Sequence, residues 1–216
     1  MPLQITFREP MNGLTHFIGA LLSVAALVLL LVYTGSGKPW HIVSFSIYGA
    51  SMLMLYSAST LYHWLSLSDE NIKIMRKLDH IMIFFMIAGS YTPMALVVLR
   101  GGWGWSIFGV AWGITLIGTI LKLKWINMPR KLNVSLYLLM GWMIVIALPQ
   151  VNKKIPSIGV MWLFIEGIIF SIGAIIYATK KPNFKYFGFH ELWHIFVIGG
   201  SFAHFWFLFY YIRPLP

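Results

Sequence analysis

The sequence has 216 residues, of which 59% are hydrophobic and only 10% are charged. Its mean hydropathy of +0.78 exceeds what a soluble domain of this size hides from water, so a soluble globular fold is excluded. The absence of cysteine excludes disulfide frameworks and iron–sulfur clusters, and it leaves histidine and carboxylate as ligands for any metal. The net charge is +10, and the 16 basic residues lie in short clusters between apolar stretches. Because they form no continuous basic surface, we expect no nucleic-acid partner.

Seven apolar stretches follow one another along the chain, each close to the ~20 residues that a membrane-spanning helix needs. They lie near residues 16–34, 42–64, 79–99, 104–123, 132–150, 157–179 and 190–212. A membrane β-barrel would show alternating polarity, whereas these stretches are apolar on every face. We therefore predict an all-α fold, in which residues 1–216 form a single polytopic domain of seven transmembrane helices.

The basic residues are divided unequally between the two ends of these predicted helices. One side carries Arg8, Lys73, Arg76, Lys77, Lys122, Lys124, Arg130, Lys131, Lys180, Lys181 and Lys185. The other side carries only Lys38, Arg100, Lys153, Lys154 and Arg213. By the positive-inside rule, we predict that the N-terminus lies in the cytoplasm and the C-terminus outside.

Ionisable residues gather toward the predicted cytoplasmic side, at the ends of four spans. They are His16, His63, Asp79, His80, His190 and His194. Each such group in a membrane costs several kcal/mol unless it is paired, hydrated or bound to a metal. A set of them at one level therefore indicates a functional site.

Two of these histidines have the spacing of a chelating pair. His190 and His194 are four residues apart, which puts both imidazoles on one helical face. We predict His63 as the third ligand because it lies at matching depth, with Ser59 four residues before it on the same face. Asp79 would bind the ion directly or hold a metal-bound water. Three histidines and a water form the open coordination of catalytic Zn²⁺, which lowers the pKa of water to about 7.

Residues 190–194 also fit the H-E-x-x-H pattern of zinc proteases, in which Glu191 would be the general base. The simpler alternative is that these histidines lie at the membrane interface and hydrogen-bond to lipid headgroups or loop carbonyls. For His41 we expect a structural role. Since the co-level set includes a chelating pair and a facing carboxylate, a metal site is the favoured interpretation.

Two further ionisable residues lie deep in the predicted spans. His204 is about 15 Å along the last helix from His194, too far to share its ion. We expect it to make an interhelical hydrogen bond, with a relay role as the alternative. Glu166 lies in the middle of the sixth span, so we expect it to be protonated or paired inside the bundle.

Several segments resemble the bacterial hemolysin III family. They are REPMNGLTHFIGA at 8–20, SASTLYH at 57–63, KLDH at 77–80, GSYTP at 89–93, HELWH at 190–194 and GGSFAHF at 199–205. The resemblance covers essentially the whole chain and its seven-helix layout. Hemolysin III proteins are similar to the progestin and adipoQ receptor family, and they belong with alkaline ceramidases in a superfamily of membrane hydrolases.

This resemblance implies a set of site residues and a cellular location. The superfamily motif, Ser-x3-His, Asp and His-x3-His on the second, third and seventh helices, matches Ser59, His63, Asp79, His190 and His194. In the eukaryotic relatives the three histidines bind zinc near the cytoplasmic side, and the Asp reaches the ion through water. Because the motif does not include the intervening glutamate, the resemblance disfavours the protease interpretation. The resemblance also implies that the protein is located in the bacterial cytoplasmic membrane.

The leading hypothesis is a Zn²⁺-binding membrane protein that hydrolyses a lipid amide or ester entering from the bilayer. His63, His190 and His194 would hold the ion. Asp79 would orient or deprotonate the attacking water, and Ser59 would hydrogen-bond the water or the oxyanion. The alternatives are a cytolysin or pore former, as the family name implies, and a sensor of membrane state with structural zinc. No soluble partner is implied, and a membrane lipid is the expected substrate or ligand.

Overall fold

The computed structural model describes residues 7–125, 127–184 and 187–216. In this part of the chain seven helices are long and apolar enough to cross a membrane. They are α1 Pro10–Thr34, α2 Pro39–Trp64, α3 Asp69–Leu99, α4 Gly101–Lys124, α5 Arg130–Val151, α6 Ser157–Thr179 and α7 Phe189–Ile212. The predicted all-α fold with seven spans is confirmed. Lys185, which contributed to the prediction of orientation, lies outside the described residues.

Helix α3 begins at Asp69, well before the apolar stretch that was predicted to start near residue 79. Ser68 caps this end, because its hydroxyl oxygen accepts a hydrogen bond from the backbone N–H of Asn71 at 3.5 Å. Asp69 and Glu70 in the first turn interact favourably with the positive end of the helix dipole. Hydropathy does not detect this charged part of the helix. Asp79 therefore lies about 15 Å inside α3 rather than at its start.

The centre of the bundle is formed by α2 and α3. Within the most apolar window of each helix, 72% of the residues of α3 and 56% of those of α2 are buried inside the protein, against 22% for α1 and for α6. Helix α7 is intermediate at 44%. Polar groups on α2, α3 and α7 are thus shielded from lipid by the surrounding helices, which allows ionisable side chains at these positions.

Near the opposite end of α3, a close backbone contact joins it to α4. Pro93 lies inside α3, and Met94–Leu99 after it form a π-helical segment, as is common where a helix is disrupted. A Cβ atom added at Gly104 of α4 would overlap the carbonyl oxygen of Ala95. Only glycine fits this contact, because the opposing atom belongs to the backbone.

We expect Gly104→Ala to destabilise the protein by about 1–3 kcal/mol, the usual range for overpacking. Gly109→Ala on the same helix is the matched control, since a Cβ there meets no other atom within 4 Å. Thermal unfolding of both variants in one detergent measures the effect. The apparent Tm of Gly104→Ala should fall by several degrees while that of Gly109→Ala stays near wild type. Equal midpoints would contradict the contact.

Candidate metal centre

Three histidines from α2 and α7 come together at one end of the bundle. His63 lies in the last turn of α2, and His190 and His194 lie in the first turns of α7. One ring nitrogen from each lies within 4.8 Å of those of the other two. His63 and His194 are buried and His190 is partly buried. Three imidazoles at this separation can hold one metal ion.

Hydrogen bonds select the ring nitrogen that each of two histidines presents. The Nδ1 of His63 lies 2.6 Å from Oε2 of Glu9, and the Nδ1 of His194 lies 3.2 Å from the carbonyl oxygen of Asn12. Because an ionised carboxylate and a carbonyl only accept, both Nδ1 atoms donate, and each Nε2 keeps its lone pair. The Nε2 of His63 is buried and has no hydrogen-bond partner among the described residues. This arrangement, with a second partner holding each ring, is typical of histidines that bind metal.

The segment before α1 positions Glu9. The last carbonyls of α2 lack partners within their own helix, so the backbone N–H of Glu9 donates to the carbonyl of His63 at 2.9 Å and that of Arg8 to the carbonyl of Trp64 at 3.3 Å. The hydrogen bond from His63, together with the nearby charge of Arg8, lowers the pKa of Glu9 to about 2, against the opposing effect of partial burial. The Glu9 carboxylate is therefore ionised at neutral pH.

Replacing Glu9 by glutamine should weaken metal binding by about 10- to 100-fold, as is usual for the partner of a metal-binding histidine. The amide still accepts from His63 but carries no charge. Competition for Zn²⁺ with a chromophoric chelator measures the affinity. Glu70→Gln is the control, because Glu70 is exposed in the first turn of α3. If both variants bind Zn²⁺ like the wild type, Glu9 does not support the centre.

Residues of α1 and of the segment before it were not assigned to this centre from the sequence. Besides Glu9 and Asn12, the hydroxyl of Thr15 lies 2.9 Å from the Nδ1 of His194. A signal was present, because Glu9, Asn12 and His16 follow one another at helical spacing just before the apolar run of α1. His16 had been placed at this level without a role.

His16 lies beside the three-histidine group. Its ring stacks on that of His194 with 3.5 Å between centroids and an interplanar angle of 17°. The ring is buried, it lines the adjoining cavity, and neither of its nitrogen atoms has a hydrogen-bond partner in the described part of the chain. His16 therefore forms part of the wall of the centre and has hydrogen-bonding capacity to spare.

Asp79 and Ser59 lie next to the three histidines. Both side chains are buried, and both line the cavity. Asp79 is near Ser59 and within electrostatic range of His63, but it is not a member of the group that could hold the ion directly. The Oγ of Ser59 has no hydrogen bond of normal length and angle to any described residue. Four of the five predicted site residues thus line the cavity, namely Ser59, Asp79, His190 and His194, and His63 is grouped with the two histidines of α7.

His80 faces a different set of partners. Its Nδ1 lies 3.5 Å from the Nζ of Lys122, a buried lysine that also donates to Oδ1 of Asn133. The hydroxyl of Tyr137 donates to the carbonyl oxygen of His80 at 3.0 Å. These contacts join α3 to α4 and α5, and His80 also lines the cavity.

Glu191 is engaged at the start of α7. Its carboxylate oxygen Oε2 accepts a hydrogen bond from the backbone N–H of Gly188 at 2.9 Å, an interaction that satisfies one of the free N–H groups at a helix start. This contact gives Glu191 a capping role and weakens the protease interpretation, which needs the same carboxylate as a base.

The remaining two histidines, His204 and His41, make contacts between helices. The Nδ1 of His204 lies 2.8 Å from Oε2 of Glu166, so the predicted interhelical hydrogen bond and the predicted pairing of Glu166 are both confirmed. The Nε2 of His41 lies 3.2 Å from the carbonyl oxygen of Ile212 at the other end of the bundle. His41 thus links α2 to the end of α7, in agreement with the structural role expected for it.

A largely apolar cavity adjoins the three-histidine group, with His190 and His194 in its lining. It is bordered by side chains of α2, α3, α5, α6 and α7, with His16 from α1. Apolar residues form most of its wall, among them Ile83, Met86, Ile87, Leu163, Phe170 and Val197. Its lining also includes Glu166 and His204. The centre therefore adjoins a space suited to an apolar chain.

Comparisons with known proteins extend over nearly the whole chain. A family model described as Haemolysin-III related matches residues 5–205. The Hemolysin-3 homolog of Bacillus subtilis (strain 168) is 39% identical over 211 residues, which cover 97% of this chain and 96% of that protein. Hemolysin-3 of Bacillus cereus is 36% identical over 213 residues, with 98% and 94% covered. The Monocyte to macrophage differentiation factor of Homo sapiens is 26% identical over 219 residues, with 97% and 87% covered.

Proposed function

Since this chain belongs to the haemolysin III family, we propose that it is a zinc-dependent membrane hydrolase acting on a lipid amide or ester. The observation that carries the proposal is the group of three histidine nitrogen atoms within 4.8 Å of one another, next to a buried carboxylate and an apolar cavity. A structural metal site needs no such cavity, so this adjacency favours catalysis.

His63, His190 and His194 would hold the ion. Zn²⁺ bound by three imidazoles supplies a Lewis acid that polarises a carbonyl and acidifies water. Glu9 and Asn12 accept hydrogen bonds from the Nδ1–H groups of His63 and His194. The lone pair of each Nε2 therefore points away from these partners and would be available to the ion. The negative charge of Glu9 also supports a positive charge at the centre.

Asp79 would act as the general base and then the general acid. Its carboxylate accepts a proton from the water that attacks the carbonyl carbon. The C–N or C–O bond then breaks, and the same proton passes to the departing amine or alcohol. Burial of Asp79 keeps bulk water from competing for that proton. The products are a carboxylic acid and an amine or alcohol.

Ser59 would stabilise the charge that develops on the carbonyl oxygen. Its hydroxyl is buried beside Asp79, where it would donate a hydrogen bond to the developing oxyanion. The apolar wall of the cavity would receive the acyl chain from the bilayer.

We further propose that the centre faces the cytoplasm in a bacterial inner membrane. The support is the excess of Lys and Arg at that end of the helices, since such residues are retained on the cytoplasmic side. The name of Hemolysin-3 of Bacillus cereus refers to lysis by that protein. For this chain, seven apolar helices favour residence in its own membrane over export as a soluble pore former.

The test uses detergent-purified protein with its metal content measured by elemental mass spectrometry. Lauroyl ethanolamide and lauroyl ester substrates are added, and the release of lauric acid is followed. We expect release that stops after removal of the metal by a chelator and returns when Zn²⁺ is restored. Folded, zinc-loaded protein that releases no lauric acid from either class would contradict the hydrolase proposal and favour a sensor with structural zinc.

A further inference from the structure

The pair formed by Glu166 and His204 lies within the bundle and is not used by the proposed reaction. Glu166 is near the middle of α6, and its side chain is 16% exposed. His204 on α7 is 5% exposed. The two are joined by one hydrogen bond of 2.8 Å between Nδ1 and Oε2. A carboxylate in the hydrocarbon region is costly, which makes the pair a candidate for a functional role.

One polar atom of this pair lacks a partner. The Nε2 of His204 is buried and makes no hydrogen bond to any described residue. Neighbouring polar side chains are already satisfied, because the hydroxyl of Tyr56 is paired with that of Ser201 at 2.7 Å, and the hydroxyl of Tyr48 donates to the carbonyl oxygen of Ser201 at 3.4 Å. A mere link between α6 and α7 does not explain an unpaired imidazole nitrogen, since a buried donor without an acceptor costs about 1–3 kcal/mol.

The charge of the pair determines what this nitrogen offers. A net charge in the membrane interior is expensive, so we expect one proton to be shared in a pair that is neutral overall. Either the imidazolium faces a carboxylate or the imidazole faces a carboxylic acid. In both forms Nε2 carries a hydrogen and is a donor. The carboxyl group of Glu166 offers acceptor oxygen atoms, and both residues line the cavity.

A donor beside an acceptor matches a hydroxyl group, which accepts through its oxygen and donates through its hydrogen. The distance to the metal centre follows from the helix, because His194 and His204 lie on α7 about 15 Å apart by helical rise. The wall between them is largely apolar, with Met86, Ile87, Phe170 and Val197 among its residues. A ligand that reaches both ends therefore has an apolar middle.

We propose that Glu166 and His204 form a second binding site, specific for a hydroxyl group carried at the far end of an amphiphile whose other polar group lies at the metal centre. The site itself follows from the geometry of the pair. The further step, that the ligand of this site is also the substrate, rests on the proposed function. The substrate class is then an ω-hydroxylated acyl amide or ester.

The test compares lauramide with ω-hydroxylauramide, which differ only in the terminal hydroxyl group. Binding is measured on chelator-treated protein, so that no turnover occurs and failure of the hydrolase proposal does not affect the result. Tryptophan fluorescence reports binding, because Trp142 and Trp193 line the cavity. We expect ω-hydroxylauramide to bind about 5- to 10-fold tighter than lauramide in the wild type. Methylation of the hydroxyl, which removes its donor, should abolish most of this preference.

The double variant Glu166→Leu/His204→Phe removes both polar groups, a change that avoids an unpaired charge. The ratio of its affinities for ω-hydroxylauramide and lauramide should fall to about 1. Partition of the probes into detergent affects both proteins equally, so it cancels when this ratio is compared with that of the wild type. Thr179→Val is the control, because Thr179 lies on the same helix as Glu166, donates to backbone carbonyls of that helix and lies outside the cavity lining. This control should keep the preference.

Two results would overturn the proposal. Equal binding of lauramide and ω-hydroxylauramide to the wild type does so without any variant, even where the double variant fails to fold. A preference that persists unchanged in the folded double variant shows that the hydroxyl is recognised elsewhere, and the pair is then only a link between helices.

Discussion

The Asp79→Asn variant should hydrolyse lauroyl amides and esters about 10²- to 10⁴-fold more slowly than the wild type while keeping its metal, the usual contribution of a general acid–base group. Asparagine has the same shape as aspartate but cannot take a proton from water at neutral pH. Since Asp79 is not a member of the three-histidine group, its replacement should leave all three ligands in place. Initial rates at saturating substrate, with metal content measured on the same samples, test this prediction.

Asp69→Asn is the matched control for this experiment. Asp69 lies on the same helix, but it is exposed in the first turn, so its replacement should leave the rate unchanged. Loss of the ion from Asp79→Asn would show that Asp79 binds the metal directly. A rate close to wild type in a metal-loaded Asp79→Asn protein would assign the base to another residue.

The His194→Ala variant should lose its bound metal, from about one ion per chain in the wild type to a small fraction of one after dialysis. Two imidazoles remain, His63 and His190, and one site on the ion is opened to water. The buried hydrogen bond from His194 to the Asn12 carbonyl is lost as well, which loosens the contact between α7 and α1. Elemental mass spectrometry on equally handled samples measures the metal content.

His41→Ala provides the comparison, because His41 is also buried but lies on α2 far from the centre, where it contacts the Ile212 carbonyl. We expect this variant to keep its metal even if it is less stable. Far-ultraviolet circular dichroism establishes that both variants are folded. Equal metal content in folded His194→Ala and wild type would exclude His194 as a ligand.

Much of the architecture was predictable from the sequence because the bilayer imposes a simple rule. A chain that cannot hydrogen-bond to lipid must satisfy its backbone internally, so apolar stretches of sufficient length become helices. All seven spans were found in this way. The start of α3 was not found, since its first turns depend on the Ser68 cap and on charged residues rather than on hydropathy.

The candidate ligands were also accessible from the sequence, for a related reason. His190 and His194 share a helical face whatever the tertiary structure, and the high cost of ionisable groups in a membrane makes each of them informative. Spacing alone could not supply Glu9, whose contact with His63 joins residues 54 positions apart in the chain. That contact arises because the segment before α1 satisfies the end of α2.

Local hydropathy and helical periodicity were therefore enough to predict the seven helices, the depth at which the histidines gather and the pair of histidines on one face of α7. The packing of the helices, in contrast, sets which ring nitrogen of His63 and His194 is free. It also gives Glu191 its capping contact and brings Glu166 to His204 at the cavity. These properties depend on how separate helices pack, and hydrogen bonds between distant segments leave no periodic signal in the chain.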